Sequence, residues 1–361
     1  MSGYVNEMTE RLLQPVADKS AWKGADLESD TSWWFSLDRK HVDEIESLMS
    51  SLRASGKRPP AVLREDFSAP ALAALFSRIR NELESGFGVA RVSGFPIKNF
   101  DVADLETAFW AMGLLMGRPV SQNSAGESIA HVVDRGVSYQ QVNARGYTTR
   151  AELVPHCDAG PDFTGLLCVH PAKSGGESSL ASSMAIYNEI LTKHPDYLDD
   201  LYRGFYHDLR GEGPTASLDE LTNHPIPVFS YCEGALSCSF NTKSMEQANV
   251  KMSTDYTATQ QAAVGCILNL ARDPAFRYDM AFEAGDIQFV NNHTVLHSRN
   301  AYEDFDEPDR RRRLLRLWIV QPECRPLDPL FADRFNTGPR GGVARRDDLG
   351  RSLPGLSAVE I

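Results

Sequence analysis

The 361-residue chain contains no pair of cysteines at C-x-x-C spacing; its six cysteines are scattered at positions 157, 168, 232, 238, 266 and 324. That distribution argues against both a zinc ribbon and a disulfide framework, and suits reduced thiols packed in a core. Also missing is any apolar run long enough to span a bilayer. The opening MSGYVNEMTERLLQP carries acids within its first ten residues and no apolar stretch of the secretory kind, so cytoplasmic residence is the expectation. Basic residues are in deficit, with 37 Lys and Arg against 49 Asp and Glu, a net charge of -12. A nucleic-acid partner requires a basic face, and the one basic cluster, at 310 to 313, follows the acidic run EDFDEPD that compensates it. No internal repeat or low-complexity linker marks off a second domain. What remains is an ordinary globular composition, 42% hydrophobic and 24% charged. It points to one catalytic domain with a large core, small-molecule partners and, as an open point, self-association.

Hydrophobic periodicity places helices early in the chain. Asp38 is a cap for a helix whose Val42, Ile45, Leu48, Met49 and Leu52 form one stripe, with Gly56 ending it. PALAALFSRIRNELESG reads as a second helix stopping at Gly86, and FGVARVSGFP as the first strand of a core sheet. Between 130 and 180 short strand-like runs alternate with turns: HVVDRG, YQQVNARGY, LVPHCDA and TGLLCVHPA, then KSGGES. SSMAIYNEILTKHPDYLDDLYRG is helical with a break at Pro195, and residues 207–224 are polar, as in a mobile surface loop beside a site. Strands follow at PVFSYCEGALSCSF, a helix at TATQQAAVGCILNLARD, and strands again at RYDMAF, GDIQFVNN and RRLLRLWIV. Strands around a helical middle suggest a β-sandwich or barrel with helices packed outside.

The pattern His-x-Asp occurs three times, as His41/Asp43, His156/Asp158 and His194/Asp196. Residues two apart lie on opposite sides of a helix but on the same side of a strand. His41 and Asp43 sit in the first amphipathic helix and so cannot chelate together, and Asp196 beside Pro195 is more simply a helix cap. Only His156 and Asp158 sit in a strand-like segment, with Cys157 turned to the other face. A second histidine would complete two imidazoles and a carboxylate on one face of an octahedron, the arrangement of non-haem Fe(II) oxygen chemistry. Both His293 and His297 are available in GDIQFVNNHTVLHSR, and composition does not choose between them.

These residues resemble the taurine dioxygenase-like (TauD/TfdA) family of Fe(II)- and 2-oxoglutarate-dependent oxygenases. The likeness rests on His156-x-Asp158, the turn Gly175-Gly176-Glu177-Ser178, the segment GDIQFVNNHTVLHSR and the terminal RRLLRLW, spanning about residues 85 to 325. It implies an α+β fold with a double-stranded β-helix (jelly-roll) core in one catalytic domain over 1–361. A helical cap would occupy 1–85, the core with its helical insert 86–325, and an irregular tail 326–361. It implies Fe(II) held by His156, Asp158 and His297, with His293 left as a hydrogen-bonded turn residue. It maps the family's R-x-x-x-R onto Arg312 and Arg316 and its hydroxyl onto Ser178. Arg316 is then expected at the C5 carboxylate of 2-oxoglutarate and Arg312 near C1, because a guanidinium pairs with a carboxylate through two parallel hydrogen bonds. Strand alternation puts Arg312, Leu314, Arg316 and Trp318 on one face, although Trp318 reads more simply as core. Arg310, Arg311 and Arg313 read as a solvated edge facing Glu307 and Asp309.

The implied activity is hydroxylation of an unactivated C–H bond of a small polar or amino-acid-like molecule by O2, with release of succinate and CO2. Asp158 sets halogenation aside, since a halogenase replaces the metal carboxylate to admit chloride. Glu152 stands where the taurine enzyme has an asparagine, which argues against taurine. Gln140, Gln141, Asn143, Arg145, Glu152 and Arg210 are the candidate pocket residues, and surface exposure explains each of them equally well. Three alternatives stay open: a desaturase or cyclase of the same fold, a non-catalytic protein binding an iron chelate or small acid, and a zinc hydrolase using the same ligands.

Overall fold

The structure is a computed structural model that describes residues 10–139, 145–321, 323 and 325–345. The first expected helix spans Arg39–Ser55; Asp38 accepts a hydrogen bond from the His41 amide, and Gly56 ends the helix at φ 68°. Such a left-handed angle costs glycine nothing. Its buried stripe is Ile45, Leu48, Met49 and Leu52, and Pro70–Ser85 follows with Leu72, Leu75, Phe76, Ile79 and Leu83 inward. A third helix, Val102–Met116, escaped the periodicity argument for a physical reason. It is apolar nearly all round, as a helix sandwiched inside a protein is, and shows no stripe to detect. These helices and the large sheet share one continuous core that includes Phe76, Phe109, Phe289, Leu315, Leu317 and Ile319.

The seven-stranded sheet runs Trp34–Ser36, Val89–Ser93, Ile287–Asn291, Phe163–His170, Arg313–Val320 and Arg118–Val120, with Ala130–Val132 also paired to Arg313–Val320. A four-stranded antiparallel sheet runs Arg277–Met280, Ser178–Ser182, Val295–Arg299 and Leu153–His156. Helices Ser183–Lys193, Leu198–Arg203 and Ala258–Arg272 and the hairpin Phe229–Cys232 with Ala235–Cys238 enclose a second core, to which the smaller sheet contributes Ala181 and Leu296. The helical break expected at Pro195 is a short 3-10 turn, Pro195–Tyr197.

Several expectations need correction. YQQVNARGY is not a strand where it is described: residues 140–144 lie outside the described residues, and Gly146–Thr148 is a 3-10 turn. Val295–Arg299, which follows the expected strand GDIQFVNN and whose polar residues suggested a turn of the chain, is a strand, because its polar side chains face a cavity between the sheets. Thr242–Met252 is an additional helix, capped by Asn241. The C-terminal segment holds a short helix, Pro329–Ala332, and buries Phe331 and Phe335. The loop 207–224 is anchored by bridges between Asp208 and Leu221 and between Phe205 and Ile226, and it buries Asp208, Leu209 and Glu212. Among the described residues no helix is long and apolar enough to cross a membrane.

Candidate metal centre

The two sheets face each other across a cavity, and alternation decides what lines it. From Arg313–Val320 the cavity receives Leu314, Arg316 and Trp318, together with Arg312 just before the strand, while Leu315 and Leu317 go to the helical core. From the smaller sheet it receives His156, Ser178, His297 and Arg299.

His156 ends its strand directly opposite His297, with the two rings 4.4 Å apart. The His156 Nδ1–H donates to the Val154 carbonyl at 2.8 Å, which leaves Nε2 as the free lone pair. Cys157 turns into the second core, where its amide donates to Phe240. Asp158 lies beyond the strand end, so a different device holds it. The Asn292 side chain accepts from the Asp158 amide at 2.8 Å and donates to the carbonyls of Asp158 and Pro161. Asp158 Oδ2 accepts from Thr164 at 2.8 Å and Trp318 Nε1 at 3.0 Å, and Oδ1 from Arg316 at 3.2 Å. One donor atom from each of His156, Asp158 and His297 lies within 4.8 Å of the others.

Charge states favour a cation here. Burial pushes the Asp158 carboxyl up, but Arg316 and then His297 and His156 outweigh it and hold it at about 2. Burial lowers His297 to about 3, with His156 adding to the effect, and burial also lowers His156. Near neutral pH the site is therefore two neutral imidazoles and one carboxylate, the protonation state a metal requires. His297 Nδ1 has no hydrogen-bond partner among the described residues. The donors fit a divalent transition ion.

The remaining arginines differ sharply. Arg316 is committed: its Nε donates to Gln122, which in turn donates to the Arg316 carbonyl, and its guanidinium lies 4.7 Å from the Tyr147 ring centre. Arg312 is buried, with Nη1 unpartnered among the described residues, 4.9 Å from the Tyr302 ring centre and in the same cavity as Ser178. Asp304, from the long connecting turn, accepts from the Arg312 amide at 2.7 Å. Arg310 is exposed against Glu307 at 3.5 Å. His293 sits apart from the cavity, its Nε2 2.8 Å from Asp162, which also takes Arg340.

Of the expected pocket residues, Arg145 and Arg210 line the cavity, and Gln140, Gln141 and Asn143 lie outside the described residues. Glu152 corrects the expectation. It precedes the strand, is exposed, and pairs with Arg272 at 3.1 Å. Trp318 is both core and site wall, since it packs with Leu209 and Phe335 while binding Asp158. Sequence reasoning passed over Gln122, Thr164, Glu212, Lys243, Asn292 and Arg299. Arg299 had a usable signal: it lies two residues from His297 on one strand, and therefore on its face. Asn292 also had one, standing five residues before His297 in the quoted segment, and the others had none.

With fold and site described, the class is defined: residues 54–318 match the family model of the taurine catabolism dioxygenase TauD, TfdA family. The chain belongs to this family and is a non-haem iron, 2-oxoglutarate-dependent dioxygenase. It is 32% identical over 316 residues to FR-33289 synthase of Streptomyces rubellomurinus, a match covering 86% of this chain and 92% of that protein. Asparagine oxygenase, solved with Fe(II), 3-hydroxyasparagine and succinate, has a similar fold at TM-score 0.62 and 15% identity, covering 80% of this chain and 93% of that one. The non-haem iron oxygenase OrfP, solved with Fe and α-ketoglutaric acid, gives TM-score 0.56 at 13% identity over 80% of this chain and 93% of that one.

Proposed function

We propose that this chain hydroxylates an unactivated C–H bond of a small polar or amino-acid-like molecule, with His156, Asp158 and His297 holding Fe(II) and Arg312 and Ser178 receiving the distal carboxylate of 2-oxoglutarate. The observation that carries the reading is the pairing of the three-donor cluster with a buried arginine whose Nη1 has no partner. A buried, incompletely bonded guanidinium is costly to keep, and a ligand carboxylate resolves it. The two arginines then exchange the places expected from sequence. Arg316 already grips Asp158 and belongs at the metal end, beside the C1 carboxylate, while Arg312 is the free fork for C5. Ser178 donates its one hydroxyl proton to Gln288 at 3.0 Å, and turning that proton from Gln288 to the ligand carboxylate would orient that end.

When bound, the iron and 2-oxoglutarate supply oxygen activation, giving succinate, CO2 and an oxidised substrate. The protein's own share is orientation and exclusion. Thr164, Trp318 and Arg316 fix the Asp158 carboxylate, Val154 fixes the His156 tautomer, and the loop carrying Arg210 and Glu212 lines the cavity. We read the two facing sheets as the double-stranded β-helix, and the whole chain as one catalytic domain in which the N-terminal helices cap the larger sheet. The hydroxylase chemistry of asparagine oxygenase on a similar fold supports this reading. The test is anaerobic addition of Fe(II) and 2-oxoglutarate. A weak visible charge-transfer band should appear in the parent protein, be lost in His297→Ala, and require far more 2-oxoglutarate in Arg312→Met. An unchanged band in both variants would overturn the assignment.

A further inference from the structure

The cavity carries more positive charge than its metal and cosubstrate account for. Among the described residues six cations line it (Arg145, Arg210, Lys243, Arg299, Arg312 and Arg316) against two carboxylates, Asp158 and Glu212, an excess of four. Fe(II) adds two positive charges and 2-oxoglutarate two negative ones, so binding both leaves the excess unchanged. Arg312 and Arg316 serve the cosubstrate end, and Arg299 Nη2 donates to the carbonyls of Thr149 and Ala151. The surplus is concentrated in Arg145, Arg210 and Lys243, with Glu212 among them.

These four groups come from three separate segments. Arg145 pairs with Glu212 at 2.8 Å, which neutralises that one carboxylate. The Arg210 guanidinium makes no hydrogen bond or ion pair among the described residues, yet burial and then Arg145 both press against its charge. Its backbone is held at φ 52°, a left-handed angle costly for a non-glycine residue, by the Asp208 carboxylate accepting its amide at 2.8 Å. Asp208 is in turn fixed by Lys251 at 2.6 Å. The loop thus bears strain to aim a cation inward. Lys243 stands 3.8 Å from the Tyr139 ring centre, and burial, with Arg210 and Arg145, lowers its ammonium to about 8. A cluster of this kind stores repulsion until an anion enters.

We propose that Arg145, Arg210 and Lys243, with Glu212 orienting Arg145, form a recognition site for a doubly charged tetrahedral phosphorus group, a phosphonate or a phosphate ester, on the substrate. The local excess of two positive charges matches a dianion and not a carboxylate or sulfonate. The ammonium of an unmodified amino acid, by contrast, meets no free carboxylate there among the described residues, because Glu212 is already held by Arg145. Anchored there, the substrate presents another of its carbons to the part of the same cavity where His156, His297 and Arg316 lie. This inference names the substrate class of the site proposed above and rests on that reading.

The test is calorimetric titration of the full-length protein, with and without Zn(II) and 2-oxoglutarate, using methylphosphonate, methyl phosphate, methanesulfonate and acetate as probes. One or both phosphorus dianions should bind at least about tenfold more tightly than either monoanion, and the better of the two identifies the source. Arg210→Gln should weaken that binding by about tenfold or more, as loss of a charge-assisted contact does. Arg210→Lys should recover part of it, and metal binding should be unaffected in both. Equal affinity for monoanions and dianions, no binding of either phosphorus probe, or an unchanged Arg210→Gln would overturn the inference. Failure of the metal–cosubstrate reading shows separately, as loss of the anaerobic charge-transfer band while methylphosphonate still binds the metal-free protein.

Discussion

Replacing Arg316 by Met removes the cation that outweighs burial at Asp158, across a contact of 3.2 Å, while both neighbouring imidazoles are neutral near pH 7. In the metal-free protein this leaves a buried carboxylate without a counter-charge, and breaking such a pair from one side costs about 3–5 kcal/mol. A bound divalent ion supplies the missing charge, so in the metal-loaded protein the loss should shrink to roughly 1 kcal/mol, for the Gln122 hydrogen bond and the stacking on Tyr147. The thermodynamic cycle then requires the variant to bind metal more tightly than the parent. A difference of about 2 kcal/mol is roughly thirtyfold in affinity. Urea denaturation in EDTA and in saturating Zn(II), with chelator competition for the affinity, measures each leg. Equal destabilisation in both states, or weaker metal binding by the variant, would refute the claim that Arg316 is the resting counter-ion of Asp158.

Arg312→Met should leave metal-free stability unchanged or raise it by about 1 kcal/mol, because the native guanidinium is buried and incompletely bonded, and should weaken 2-oxoglutarate binding about a hundredfold; denaturation and cosubstrate titration decide. His297→Ala should cost more than about a hundredfold in metal affinity, whereas His293→Ala should leave it unchanged and cost about 2 kcal/mol of stability through Asp162, a contrast read by chelator competition. Burial lowers His207 to about 3 and His293 to about 4, so both are neutral in the folded chain well below the ordinary histidine value. Above pH 6.5 they contribute no pH dependence; below it the unfolded chain gains protons that the folded chain refuses, and stability falls. At pH 5 each of these two should cost roughly 2 kcal/mol relative to pH 7, read by urea denaturation as the part of the acid loss that His207→Gln or His293→Gln removes, with His297 and His156 contributing beside them in the metal-free protein.

The parts of the fold that were legible rested on local periodicity. Asp38, the stripe Ile45-Leu48-Met49-Leu52 and Gly56 define a helix within one stretch of chain, and the structure has it there. Val102–Met116 left no such trace, because a helix buried on all sides has no polar face to contrast with. Val295–Arg299 was hidden for the opposite reason: its polar residues face an internal cavity, which mimics a turn. At the site, the alternation from Arg312 to Trp318 was visible, since residues two apart on a strand share a face whatever the strand pairs with; the strand ends at His156, and Asp158 comes beside it because Asn292 holds it there.

By itself, then, the sequence determined that Arg312, Leu314, Arg316 and Trp318 share a side, and that the chain carries the motifs of its family. Only the tertiary structure decided which groups meet across chain separations of a hundred residues and more. The register sets His297 opposite His156, Asn292 clamps the loop of Asp158, Gln122 occupies Arg316, and Arg312 keeps one Nη1 unpartnered among the described residues. It likewise removed Glu152 from the pocket and assembled Arg145, Arg210 and Lys243 from three segments. The reason is physical. Alternation is a property of consecutive residues, whereas the partner a buried charge finds depends on sheet register and loop closure, to which every segment of the fold contributes.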